Sequence, residues 1–72
     1  MPNARPLIPD DLVAQLARNG VTQEEAADDF ERGTDIDEGT TRVRAGRLAL
    51  YRYRTMVVLG QPEILITEVM MR

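Results

Sequence analysis

Arg42, Arg44, Arg47, Arg52 and Arg54 crowd one short stretch, and Tyr51 and Tyr53 alternate with the last two. Arginine grips phosphate and tyrosine stacks on bases, so this is the composition of an RNA-contacting strand. On a regular strand, however, Arg52 and Arg54 face one way and Tyr51 and Tyr53 the other. The two sets then cannot serve one site, and the tyrosines read as core or rim aromatics. A second group is acidic: Glu24, Glu25, Asp28 and Asp29. On a helix, Glu24 with Asp28 and Glu25 with Asp29 are like-charge neighbours, which costs stability. Such a face suits a basic protein partner, or is simply solvated. A third group, Asp35, Asp37 and Gly39, looks at first like a calcium loop. A calcium hand counted from Asp35 needs Gly at position six and Glu at position twelve, where Thr40 and Gly46 stand. The expectation there is an acidic turn and no metal.

The rest of the composition narrows the chemistry. The 72 residues contain no Cys, His, Lys, Ser or Trp. Disulfides, Cys/His zinc sites, a Ser–His–Asp triad and Cys, His or Lys nucleophiles are therefore excluded. There is no glycine-rich phosphate loop and no pair of carboxylates that stands out as a hydrolase dyad. No cofactor is expected. Residues 1–39 carry three arginines against ten acids, net −7, and residues 40–72 carry six arginines against two acids, net +4. The favoured reading is that arginines of the second half pair with acids of the first. The overall charge of −3 argues against general nucleic-acid affinity, which rests on phosphate neutralisation. No apolar run approaches a membrane span and no signal peptide is evident, so the expected location is the cytoplasm, with no membrane partner.

These side chains must be positioned by a small set of elements. Residues 1–9, with Pro2, Pro6 and Pro9, predict an extended lead-in, and residues 10–72 one compact domain. Leu12, Val13, Leu16 and Ala17 form an apolar stripe on a helix over 10–18 or 19, closed by Gly20. Thr22 with Glu25 three residues on is a capping box opening a second helix, with Val21 and Ala26 as its staple and Ala26, Ala27 and Phe30 as its apolar face. Gly33 ends that helix near residue 32. The helix pair has a helix-turn-helix outline, but five acids on the second helix would repel DNA phosphate, so no DNA partner is expected. Residues 34–39 predict a turn, 40–44 a short strand, 47–59 a long strand, 60–63 a turn and 64–70 the last strand. Both faces of the long strand are partly apolar. The Tyr face is assigned to the helices and Arg52 and Arg54 to the outside.

The segment Asn19-Gly20-Val21-Thr22-Gln23-Glu24-Glu25-Ala26, with Phe30 four residues further on, resembles the His-Gly-Val-Ser/Thr-x-Glu-Glu-Ala-x-x-x-Phe segment of BrnT-type toxins. With the terminal strand Ile64-Leu65-Ile66-Thr67, the order of elements is similar to that of the RelE-like superfamily. The resemblance implies an α+β fold in which two N-terminal helices pack on a three- to four-stranded antiparallel sheet. It also implies a cognate protein partner. Asn19 stands where those toxins often have His, and Ile64, Glu68 and Val69 stand where their last strand tends to carry Arg around an Ile-Ile-Ser core.

The expected function is a small protein-binding regulatory module, of phage or mobile-element type, that acts by complex formation with a protein partner or as a homodimer. Glu24, Glu25, Asp28 and Asp29, or the open edge of the last strand, are the expected contact surface. The alternative is a RelE/BrnT-like endoribonuclease toxin in which Arg42, Arg44, Arg52 and Arg54 hold RNA. Arginine stays protonated, so it would stabilise phosphorane charge rather than act as a base.

Overall fold

The computed structural model describes residues 5–38 and 41–72. Residues 1–4, which include Pro2 of the lead-in, and Gly39 and Thr40, expected in the acidic turn and the strand after it, lie outside the described residues, as do the side chains of Asp37, Glu38 and Thr41. The order is α1 (Asp10–Arg18), α2 (Gln23–Glu31), β1 (Thr34–Glu38), β2 (Thr41–Ala45), β3 (Ala49–Val58) and β4 (Gln61–Met71). The four strands form one antiparallel meander, β1-β2-β3-β4, and both helices pack on one of its faces. This is the α+β arrangement expected.

The helix corner follows local rules. α1 ends in a Schellman motif: Gly20, at φ +75°, donates its N–H to Ala17 O at 3.0 Å, and Val21 donates to Leu16 O at 2.9 Å. The hydrophobic pair that accompanies such a motif is Val21 and Leu16, both buried. One residue later the capping box opens α2. The Glu25 N–H donates to Thr22 Oγ1 at 3.1 Å, and the Thr22 N–H donates to Glu25 Oε1 at 2.9 Å. The apolar stripe of α1 is narrower than expected, because Ala17 is exposed.

Three strand boundaries differ from the expectation. The predicted acidic turn at 34–39 is instead β1 as far as Glu38. Aspartate is a poor strand former, but Asp35 lies opposite Arg44 in register and is bonded to it, which offsets the propensity. β3 starts at Ala49 rather than 47, because the backbone N–H groups of Arg47 and Leu48 donate to Asp29. The last hairpin turns at Leu59 and Gly60, not across 60–63. Their φ values of 52° and 78° are the pair of positive values that a two-residue type I′ turn requires. Pro62 can then sit inside β4, because alternation from the Val58–Gln61 pair turns its missing N–H toward the sheet edge.

Tyr51 and Tyr53 face the helices and are buried, and Phe30 meets both rings edge-on, with centroids 5.7 and 5.2 Å away. Arg52 and Arg54 point to the opposite face, as expected. The core joins Leu12, Leu16, Val21, Ala26 and Phe30 to Ala49, Tyr51, Tyr53, Ile66 and Val69. A bulge makes this possible on β4. Arg52 pairs with Glu68 and Tyr53 with Ile66, so Thr67 is the extra residue. Its hydroxyl donates to Arg52 O at 3.2 Å. The bulge switches parity, so that Ile64 and Ile66 before it, and Val69 and Met71 after it, all face the helices. The lead-in is docked as well: Leu7 bridges β4 in parallel, donating to Ile64 O at 2.8 Å and accepting from Ile66 N at 3.0 Å.

Candidate functional site

Two of the four acids expected to face a partner are held within the fold by neighbouring elements. Asp29 accepts from Arg47 N at 2.8 Å, Leu48 N at 3.0 Å and Tyr51 Oη at 2.8 Å. Its carboxylate ties α2 to the β2–β3 loop and to β3. Gly46 lies against this carboxylate so closely that a Cβ there would collide with it. Burial, then the bond to Asp29 and its charge, raise the Tyr51 hydroxyl pKa well above the ordinary tyrosine value. Asp28 pairs with Arg5 at 2.9 Å, which fastens the lead-in to α2. Glu25 is engaged in the capping box. Only Glu24 of the four carries no intramolecular bond among the described residues.

The arginines are likewise divided. Arg44 and Arg42 sit opposite Tyr51 and Tyr53, on the helix side of the sheet, and Arg52 and Arg54 are on the other side. Arg44 donates from Nε to Asp35 Oδ1 at 2.7 Å, and its guanidinium lies 4.3 Å from the Phe30 ring centroid and 5.3 Å from that of Tyr53. Tyr53 Oη donates to the same Asp35 oxygen at 3.1 Å. The hydrogen bond from Arg44 holds the Asp35 carboxyl below its ordinary range, and Asp35 in turn raises Arg44. Arg44 therefore pairs with an acid of the first half, as expected. Arg52 does not: it pairs at 2.9 Å with Glu68, its cross-strand neighbour.

An open cleft of about 960 Å³ lies between α2 and the β2–β3 loop. Arg32, Arg47 and Arg72 line it together with Glu25, Asp28 and Asp29. Ligand pockets of that size are predominantly apolar with a few convergent polar groups, whereas this lining is charged and of mixed sign. The Asp29 carboxylate, moreover, is already committed to three donors.

The other face of the sheet has a different character. No described helix covers it, yet it is not polar. Ile36, Val43, Leu50, Leu65, Met70 and Val58 lie on it, spread over all four strands. Met56 joins them on β3. Half-wet antiparallel sheets ordinarily alternate apolar-in with polar-out, and β3 breaks that rule with Leu50, Met56 and Val58. Met70 is 49% exposed and Ile36 38%, while Val43 is only 4% exposed, sheltered by its neighbours on the face itself. Arg52, Arg54, Glu63 and Glu68 stand among them on β3 and the edge strand β4. A dimple there, lined by Val43, Leu50, Arg52, Glu68 and Met70, has a volume of about 20 Å³, too small for a metabolite.

Part of this arrangement was visible in the sequence, since both faces of the long strand are partly apolar. Sequence reasoning misses that Ile36 carries the apolar outer face onto β1, because the expected turn at 34–39 leaves no strand there. The anchoring role of Asp29 carries a weak signal at most: a glycine, Gly46, just before the strand that holds Tyr51. No protein-family model, no curated protein and no solved structure matches the chain.

Proposed function

We propose that this chain is a small protein-binding module that acts by forming a complex, and that its contact surface is the open face of the sheet. The observation that carries the reading is the run of aliphatic side chains across four strands of a face that no described element covers. Exposed apolar side chains spread over such a face on a small domain point to an interaction site. The acidic face of α2, the surface suggested by sequence, is the weaker choice, because Asp28, Asp29 and Glu25 already have partners inside the chain. The outer edge of β4 is partly occupied too, by Leu7 and by Gln15, whose Nε2 donates to Val69 O at 2.9 Å.

The RelE/BrnT-like ribonuclease reading needs one basic surface built from Arg42, Arg44, Arg52 and Arg54. These residues divide two and two between opposite faces, and Arg44 and Arg52 are in ion pairs. The test is a photo-reactive residue placed at Leu50 on the open face, compared with one at Ala14 on the exposed side of α1. One discrete protein adduct from position 50 and none from position 14 is the expected result. RNA adducts, or protein adducts only from position 14, would contradict it.

A further inference from the structure

We propose that the outer edge of β1 takes up an extended segment of the protein partner, antiparallel, in which basic residues alternate with aliphatic ones. The inference rests on the reading that the chain binds a protein. It names the part of the partner that docks and the strand that receives it.

Three observations point to this occupant. First, β1 is the open end of the sheet. β4, at the other end, is partly covered, whereas β1 pairs with β2 alone among the described strands. Hydrogen bonding alternates along an antiparallel pair. Gly46 N donates to Ala49 O at 2.9 Å, so Arg44 and Arg42 turn their backbone groups to β3, and Val43 turns its own to β1. Ile36, opposite Val43, therefore bonds inward, and the N–H and C=O groups of Asp35 and Asp37 point outward. Among the described residues nothing bonds to them, and Thr34, Asp35 and Ile36 are all exposed. An antiparallel strand laid there engages both groups of each aspartate, which is how an added strand gains its affinity. Second, β2 shows what β1 accepts. Arg42, Val43 and Arg44 stand in register against Asp37, Ile36 and Asp35, and Arg44 is bonded to Asp35 at 2.7 Å. The outer edge presents the same residues, so a basic–aliphatic–basic segment repeats those pairings. β1 also holds Glu38, in register with the uncharged Thr41, so its acids outnumber the arginines that answer them. Like charges directly opposite destabilise a strand pair, so this edge disfavours acidic strands. It disfavours itself too, because a β1–β1 pair between two copies would set aspartate against aspartate. Third, Ile36 joins this edge to the open face. It is 38% exposed and lies beside Val43. The aliphatic residue of the incoming segment would lie next to Ile36 and carry the apolar face one strand further.

The test is a titration of the isotope-labelled full chain with a capped heptapeptide of alternating valine and arginine, read by NMR at the backbone amides. The amides of Asp35 and Asp37 should shift saturably, and their exchange with solvent should slow at least about tenfold at saturation. Two control peptides separate strand pairing from charge attraction. One carries glutamate in place of arginine and should not bind. The other keeps every charge but is N-methylated at the arginine amides, which removes the donors that would reach the carbonyls of Asp35 and Asp37. It should give no protection. Asp37→Arg should weaken binding of the first peptide at least about threefold, with a circular dichroism melt to check the fold. The peptide controls use the wild-type chain, so the result stands whether or not that variant folds. Unprotected amides at Asp35 and Asp37, a glutamate peptide that binds equally well, or an N-methylated peptide that protects equally would each overturn the inference. Its failure is distinct from that of the reading above. A discrete protein adduct from position 50 with Asp35 and Asp37 unprotected keeps the open face and removes the edge. Protection at the edge with no protein adduct from position 50 supports the edge and overturns the open face as the contact surface.

Discussion

Asp29 draws together three donors that lie 18 to 22 positions further along the chain. Asparagine has the same shape but only one acceptor oxygen, so Asp29→Asn turns an N–H toward at least one of those donors. The expected cost is about 1.5–3 kcal/mol, the usual worth of a hydrogen bond to a charged group. For a domain of this size that lowers Tm by roughly 10 °C or more, read in a thermal melt. Tyr51 contributes a pH dependence through the same contact. Its pKa is raised in the folded chain, so its hydroxyl stabilises the fold fully below the ordinary value of 10. As pH rises above that value the unfolded chain releases the proton first, and stability falls. Tyr51→Phe should flatten this alkaline loss in denaturant titrations, at a cost of about 1.5–3 kcal/mol at neutral pH. Leu59 is the opposite case, a residue with little to hold it. It is 98% exposed at φ 52°, a left-handed conformation that penalises a side chain with a Cβ. Leu59→Asn, which suits that conformation better, should raise stability by about 0.5–1 kcal/mol.

At the scale of elements, the helix corner was fully legible, because its signals are local. Gly20, Val21, Thr22 and Glu25 dictate a Schellman stop followed at once by a capping box, whatever lies around them. Thr22→Ala should cost about 1 kcal/mol, measurable as a shift in the urea midpoint with an unchanged slope. The strands were less legible, because their limits are set by partners far away in sequence. β1 exists because Arg44 answers Asp35, and β3 is shortened because Asp29 claims two backbone donors. The bulge at Thr67 left no mark in the local pattern, yet it decides which β4 residues reach the core. Deleting Thr67 would remove the extra residue and leave Ile64, Ile66, Val69 and Met71 on one face by plain alternation, with the same partners on β3. The expected outcome is a cooperative melting transition that persists.

The whole molecule is one sheet with helices on a single face, and its size leaves stability marginal. The class of fold was readable from the order of elements and from the alternation of tyrosine and arginine in β3. The working surface was not. Charge drew attention to α2 and to the arginines, but the fold spends much of that charge on itself, in Arg5–Asp28, Arg44–Asp35 and Arg52–Glu68. What it leaves open is aliphatic, and the residues concerned come together only through the register of four strands. A partner bound to that face stabilises the folded chain, so Tm should rise when the protein captured from position 50 is added. The most direct test of the account is the rate at which Met70 is oxidised by peroxide as the protein captured from position 50 is titrated in. Met70 stands on the open face and is half exposed in the single chain. The account predicts progressive protection of its sulfur as the face is covered, with Tm rising in parallel. A Met70 oxidation rate that stays constant across that titration would contradict it.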